Sequence, residues 1–343
     1  MRVGILTNLN SRKNRGRRTP WIDETAGEDV LVRETRDVRE IRPAVEEFIA
    51  AGCRYWVANG GDGTFHWLMN VGHEVLAERG EWRPGEEFPY RLVPTNGGTI
   101  DFVARKAGIT RSTGTVIRGL VERVRAGREM EFREIDTLVV TGRRPGDPEG
   151  VDSFRRVGFA VAVGGIGQRF FAKYYQSSDP NPWTIIEVSL KAAAGQVASL
   201  PGLSAIPWLG GLRSFADDVL GGTPARVTVD GRRFPYGLYQ GLHVSSVDID
   251  FGTMRLFPYA ADPGRMHVVV GAMNRLECAW KWTFLVAGRP VPGETWHEFA
   301  GRRMEVEAAE GGTLDPIIDG EMFHGLASLS VEAGPTLRVP RIP

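Results

Sequence analysis

The hydrophobic pattern of this chain changes period near residue 130, and that change limits the folds open to it. Before it, short apolar runs at residues 2–7, 30–32, 55–58 and 92–93 read as strands. Between them lie helical stripes: Val38, Ile41, Val45, Phe48 and Ile49, then Phe65, Leu68, Met69 and Leu76, then Val116, Ile117, Leu120, Val121 and Val124. Strand–helix alternation predicts a parallel sheet covered on its faces. After residue 130 the segments 131–141, 154–163, 225–234, 238–247, 266–270, 304–308 and 326–331 all read as strands. Val229-Asp230-Gly231 reads as a hairpin tip, and one helical stretch lies near 185–200. The pattern therefore predicts an α/β N-terminal domain over residues 1–129 and a mainly antiparallel β-sandwich over 130–323. Residues 324–343 are expected to pack back on the first domain. A length of 343 residues suits two cores better than one.

Composition removes several function classes. Lys+Arg and Asp+Glu both total 42, so no overall basic field draws nucleic acid. No apolar run approaches the roughly 18 residues of a membrane-spanning helix, so any membrane contact is expected at the surface. The N-terminus turns polar too soon for a secretory signal. Cys53 and Cys278 form neither a metal-type cluster nor a disulfide framework. A cytoplasmic protein, at most peripheral at the inner membrane surface, is the expectation.

The sharpest local signal is Gly60-Gly61-Asp62-Gly63-Thr64, which follows a strand and opens a helix. That is where an α/β sheet binds ligands. Glycines admit a close ligand, and a helix start offers unpaired N–H groups to phosphate oxygens. A carboxylate repels phosphate, so Asp62 makes sense there if it acts through Mg²⁺ or a water on the metal. Thr64 suits a helix cap or a phosphate contact. A ligand-free strand-to-helix turn is the competing reading.

This loop resembles the GGDGT signature of the diacylglycerol kinase and sphingosine kinase superfamily, which NAD kinases share and 6-phosphofructokinases vary. Asn8 and Ser11, after the first strand, match that family's Asn-Pro-x-Ser-Gly, with Leu9 for the proline and Arg12 for the glycine. Thr35 resembles its nucleotide-side threonine. Gly98, Thr99, Ala104 and Arg105 match Gly-Thr-x-Asn-x-Phe-Ala-Arg, with Asp101 for the asparagine and two extra residues after Pro94. Asp319-Gly320-Glu321 matches a C-terminal Asp-Gly-Glu, although any Asp-Gly also suits a hairpin tip. Residues 260–268 resemble a turn of the family's second sheet.

The resemblance implies an NAD-kinase/diacylglycerol-kinase-like fold and an ATP-dependent, Mg²⁺-assisted kinase for a hydroxyl on a lipid such as diacylglycerol or a sphingoid base. It implies that Gly60, Gly61, Gly63, Thr64, Asn8, Ser11, Thr35, Gly98 and Thr99 bind nucleotide. Asp62 and Glu321 would serve the metal, Asp319 would be the base (a role it could exchange with Asp62), and Asp101 and Arg105 would lie in the acceptor loop. Phe170, Phe171, Tyr174, Tyr175 and Trp183 are candidate walls of an acceptor site expected between the domains. The apolar, Pro/Gly-broken segment 200–212 reads as poorly suited to a rigid helix and open to a role as lid or membrane-touching loop. The basic run Arg12, Lys13, Arg15, Arg17 and Arg18 reads either as an anion contact or as a solvated loop. Three other functions stay open: an NAD kinase, a kinase for a non-lipid alcohol, and a non-catalytic nucleotide-binding regulator. A homodimer also stays open.

Overall fold

The computed structural model describes residues 1–15, 27–148, 150–177, 181–251, 254–274, 277–278, 280–281, 284 and 289–342. Arg17 and Arg18 of the basic run lie outside the described residues. The chain divides into two compact units, Met1–Thr137 with Gly334–Pro343, and Leu138–Ala333.

In the first unit, β1 (Arg2–Asn8), β2 (Val30–Thr35), β3 (Cys53–Asn59) and β4 (Arg91–Pro94) form a parallel sheet in the order β2-β1-β3-β4. The helices are α1 (Ile41–Ala50), α2 (Asp62–Glu78), α3 (Phe102–Lys106) and α4 (Thr113–Arg125). Central strands of such a sheet are covered on both faces and so carry unbroken apolar runs. Val3, Ile5 and Leu6 of β1 and Trp56, Val57 and Ala58 of β3 are fully buried. The helical stripes face the same core: Phe65, Leu68, Met69 and Leu76 of α2 are buried, as are Val116, Ile117, Leu120, Val121 and Val124 of α4. Asp37 and Glu40 form a capping box one turn ahead of α1, and Ser112 caps α4.

The second unit continues from β5 (Phe132–Arg143), which begins in the first. Its strands are β6 (Phe154–Gly158), β7 (Ala160–Gly164), β8 (Thr223–Val229), β9 (Arg232–Arg233), β10 (Leu238–Tyr239), β11 (Gly241–Ser245), β12 (Ile249–Phe251), β13 (Met254–Leu256), β14 (Met266–Gly271), β15 (Trp296–Gly301), β16 (Arg303–Ala308), β17 (Ile317–Ile318), β18 (Glu321–Met322) and β19 (Ser328–Pro340). One sheet runs β10-β8-β16-β19-β5-β6 with β9 on β8, and another runs β15-β14-β11-β7-β17-β18. Their pairings within the unit are antiparallel. Val140, Val227, Val306 and Val331 of the first sheet share one buried cluster with Val161, Val244 and Val268 of the second. That is a sandwich core. Asp230 and Gly231 take φ of 48° and 80° at the β8–β9 hairpin tip, as the sequence predicts.

Two expectations for this unit need correction. The single helical stretch is three helices: α5 (Gly165–Tyr175), α6 (Pro182–Ala198) and α7 (Gly210–Leu220). α5 opens on Gly-Ile-Gly and α7 on Gly-Gly, which read as breaks, yet glycine is tolerated in a first turn where few bonds depend on propensity. Residues 210–212 of the supposed non-helical segment therefore belong to α7, and Pro207–Leu209 form a 3₁₀ turn leading into it. α6 and α7 approach closely at Gly195, where an added Cβ would stand 2.1 Å from the Leu212 carbonyl oxygen. Gly195→Ala should thus force the helices apart and cost about 1–3 kcal/mol, read as a lower denaturation midpoint.

Candidate functional site

Polar residues collect at the carboxyl ends of the parallel strands. Asn8 pairs in register with Thr35 on β2, and Thr7 with Asn59 on β3. Thr7, Thr35 and Asn59 are buried, and each strand turns there from an apolar run into a polar loop. Asn8 organises the first loop. Its Oδ1 accepts from the Asn10 amide at 2.9 Å, while its carbonyl accepts from the Ser11 hydroxyl at 2.9 Å and from Asn14 Nδ2 at 3.0 Å. This is an Asx-type turn. Its Nδ2 donates to the Thr64 hydroxyl at 2.9 Å, tying the loop after β1 to the start of α2. Asn14 also donates to the Asn59 carbonyl at 3.0 Å, and Asn59 donates to the Thr7 hydroxyl at 3.1 Å. Sequence reasoning missed Asn14 and Asn59. The signal for Asn59 is an amide ending a buried strand, but basic neighbours hide Asn14.

The glycines of the sharpest motif pack against a second glycine pair. The Gly97 amide donates to the Gly60 carbonyl at 2.9 Å. A Cβ on Gly97 would lie 2.6 Å from that oxygen, and a Cβ on Gly98 would lie 2.6 Å from the Gly61 Cα. Real Cβ atoms do not approach so closely, so backbone meets backbone. Thr95, 3% exposed, donates its hydroxyl to the Ala58 carbonyl at 2.9 Å and seals the junction beneath. Lys13 reaches the same junction, donating its backbone amide to the Gly97 carbonyl at 3.2 Å and its ammonium to the Asn96 carbonyl. Thr99 is half-buried and Arg105 exposed. Arg12 and Arg15 are exposed as well.

Asp62 stands in the first turn of α2, and its carboxylate accepts the amides of Phe102 at 3.2 Å and Val103 at 3.1 Å. It thereby satisfies orphan donors at the start of α3, a neighbouring helix rather than its own. Asp101 precedes α3 with φ of 55° and accepts the Gly98 amide at 2.8 Å. Lys13 Nζ lies 3.6 Å from its other oxygen. Burial holds the Asp101 carboxyl above its ordinary pKa, against the opposing pull of the Gly98 amide and Lys13. Asp101 thus braces the glycine junction.

In the second unit, Asp319 and Gly320 form the turn between β17 and β18, with φ of 50° and 90°. The hairpin reading is therefore correct in geometry, and the side chain still has a specific task. Asp319 is 5% exposed. Its Oδ1 accepts the amides of Phe159 at 2.8 Å and Ala160 at 2.9 Å. These amides lie where the expected strand 154–163 breaks into β6 and β7. The Phe159 carbonyl in turn accepts from the Ser246 amide at 2.8 Å and the Ser245 hydroxyl at 3.1 Å. A Cβ on Gly158 would stand 2.8 Å from Asp319 Oδ2, so only glycine leaves room there. Glu321 is half-buried on β18. Of the candidate acceptor walls, Phe170 and Tyr174 are buried, Phe171 is half-buried, and Tyr175 and Trp183 are exposed.

Among the described residues no group of three or more His, Cys, Asp or Glu could hold a metal ion alone. Magnesium carried on nucleotide phosphates asks for only one or two protein carboxylates, and a hard oxygen donor at the head of α2 is of that kind.

Two substitutions test the bracing roles. Asp62→Ala should cost about 1–3 kcal/mol by stranding two amides and should raise hydrogen exchange at Phe102 and Val103. Asp101→Asn keeps an acceptor for Gly98 and removes a buried charge. A raised folded-state pKa means that the fold binds the proton more tightly than the unfolded chain, so stability falls as pH rises through that value. Asp101→Asn should therefore raise the thermal midpoint at pH 7, and the gain should vanish below about pH 3.9, the ordinary aspartate value.

No family model matches this sequence, and no curated protein matches it. Solved structures do. A provisionally assigned diacylglycerol kinase from Bacillus anthracis superposes with a TM-score of 0.60 at 13% identity, over 97% of this chain and 93% of that one. A diacylglycerol kinase structure from the same organism gives 0.55 at 12% identity, over 100% and 98%. A third, also provisionally assigned, gives 0.58 at 13%, over 97% and 94%. Nearly end to end, the chain has the fold of these diacylglycerol kinase structures: an α/β unit with a parallel sheet joined to a unit of antiparallel sheets.

Proposed function

We propose that this chain is a kinase that moves the γ-phosphoryl group of ATP to the hydroxyl of a lipidic alcohol. The observation that carries the reading is Asp319. It is buried, occupies the Asp-Gly-Glu motif, and has one oxygen fixed by two consecutive backbone amides. Two N–H donors on Oδ1 hold the carboxylate in one orientation and set the direction of Oδ2. A general base needs such an oriented acceptor. The glycine motif and the fold shared with diacylglycerol kinases support the same reading.

Phosphoryl transfer asks a protein mainly for alignment and charge neutralisation. The amides that open α2 at Gly61–Thr64 hold phosphate oxygens at the positive end of the helix. Asn8, Ser11, Thr35, Gly98 and Thr99 frame the nucleotide. Asp319 takes the proton of the acceptor hydroxyl as its oxygen bonds to the γ-phosphorus. The bond from that phosphorus to the bridging oxygen breaks, and ADP leaves with the electron pair. Magnesium, when carried by the phosphates, supplies charge neutralisation, and Asp62 and Glu321 are the carboxylates proposed to hold it. Asp62 is already oriented by the α3 amides, and those amides spread part of its charge.

Two measurements test this. Labelled ATP incubated with a panel of diacylglycerol, sphingoid base, ceramide, glycerol and NAD should label a lipid, whereas label in NAD or glycerol alone would point to another acceptor. Asp319→Asn retains an oxygen for the Phe159 and Ala160 amides, so it should fold normally and bind ATP. Its turnover should fall by roughly two orders of magnitude or more, and near-normal turnover would remove Asp319 from the chemistry.

A further inference from the structure

α6 is apolar on two faces. Val188 and Ala192 pack with Phe170 of α5 and Val219 of α7 in one buried cluster. The opposite face is in solvent. Trp183, Ile186, Leu190 and Val197 recur at helical spacing and are 76%, 46%, 65% and 55% exposed. Past the helix, Leu200 and Trp208 continue the exposure at 40% and 79%. Large apolar side chains clustered in solvent on one helix face mark an interaction surface.

We infer that the outer face of α6, with the turn that follows it, docks on the surface of a lipid bilayer. The chemistry favours that occupant. Tryptophan settles at membrane–water interfaces because its ring is apolar and its N–H polar; Trp183 stands exposed in the first turn of α6, and Trp208 in the 3₁₀ turn that leads into α7. The helix has 17 residues, about 26 Å, and suits lying in the interface plane. Among the described residues no helix is long and apolar enough to cross a membrane. The face does not oppose an anionic headgroup layer either. From 182 to 213 the charged residues are Glu187, Lys191 and Arg213, and Glu187 is paired with Lys191 at 2.6 Å. A second copy of the chain would match the helical seam, but the surface runs on into irregular backbone. Arg213 pins that backbone through the Ile206 carbonyl at 3.2 Å.

α6 and the Asp319 turn belong to one compact unit. α6 packs on α5, and Tyr175 at the end of α5 lies so close to Gly320 that a Cβ there would be 2.6 Å from its hydroxyl. A bilayer at α6 is thus one helix away from the proposed base. That last link rests on the kinase reading, whereas the docking itself does not.

The test sediments the full-length protein, without nucleotide, on sucrose-loaded vesicles of phosphatidylcholine alone and of phosphatidylcholine with an equal part of phosphatidylglycerol. The native chain should partition onto both. Trp183→Ser combined with Trp208→Ser should cut the partition coefficient by roughly tenfold or more, as lost apolar burial requires, with an unchanged thermal midpoint because both rings are in solvent. Leu190→Glu provides a second variant with the same expected loss. Native protein that stays in the supernatant, or variants that partition like it, would overturn the inference. So would binding confined to anionic vesicles and insensitive to these substitutions, or a dimer that the double variant dissolves without any vesicle binding. Because no nucleotide is present, failure here leaves phosphorylation of a lipid in detergent to be judged separately.

Discussion

Everything in the first unit that resembles a site depends on two glycine pairs touching. Gly60-Gly61 and Gly97-Gly98 meet backbone to backbone, joined by the Gly97 amide and Gly60 carbonyl at 2.9 Å. Any side chain would prise the loops after β3 and β4 apart. Their contact brings the start of α3 within reach of Asp62, which then holds the Phe102 and Val103 amides. Asp101 and Lys13 brace the junction from its other side. The glycines of a phosphate loop are usually explained by the ligand they admit. Here they are required before any ligand arrives, because the loops cannot otherwise form.

The second unit uses the same device once more. Asp319 reaches the amides of Phe159 and Ala160, as Asp62 reaches those of Phe102 and Val103. In each case a carboxylate satisfies two consecutive backbone donors on a segment distant in sequence. Such a donor pair, left without its partner, would cost on the order of 1–3 kcal/mol. The arrangement also fixes the carboxylate, since two N–H groups leave it little rotational freedom. On the proposed kinase reading, one group thus serves both the chemistry and a donor pair needing a partner, and each motif acid is held by more than its own turn.

The four parallel strands and the helices α1, α2 and α4 were legible because their periods were clean, with buried side chains in the stripes of α2 and α4; α3, five residues long, is too short to show a period. Most long sandwich strands were legible for the same reason, whereas β15 (Trp296–Gly301) and the two- and three-residue strands β12, β13, β17 and β18 were not. Nor was the break at Phe159 legible, because the run 154–163 reads as one strand and a partner 160 positions away interrupts it. α5 and α7 were hidden by the glycines that open them. The motif acids could be found, but not their partners, since the Asp62 contacts span 40 and 41 residues. Asn14 illustrates the limit further. A basic run hides it locally, and only the fold shows it joining the ends of β1 and β3.

α6 shows how burial can be misread from sequence. Trp183, an aromatic residue in an apolar stretch, was a candidate wall of an acceptor site, yet it is exposed. The core this helix can reach is finished by one face: Gly195 lets α7 approach to backbone distance, and Phe170, Val188, Ala192 and Val219 close the cluster. Trp183 and Leu190 stay 76% and 65% exposed. Substituting polar residues there would leave that cluster intact, so fold stability alone does not account for apolar residues at these positions. The proposed bilayer contact does, and an interface that is apolar inside and wet at its rim suits the exposed rings of Trp183 and Trp208. With α6 fixed to α5, and Tyr175 of α5 against the Asp319 turn, the distance from a docked surface to the proposed base is set by rigid packing rather than by a flexible tether.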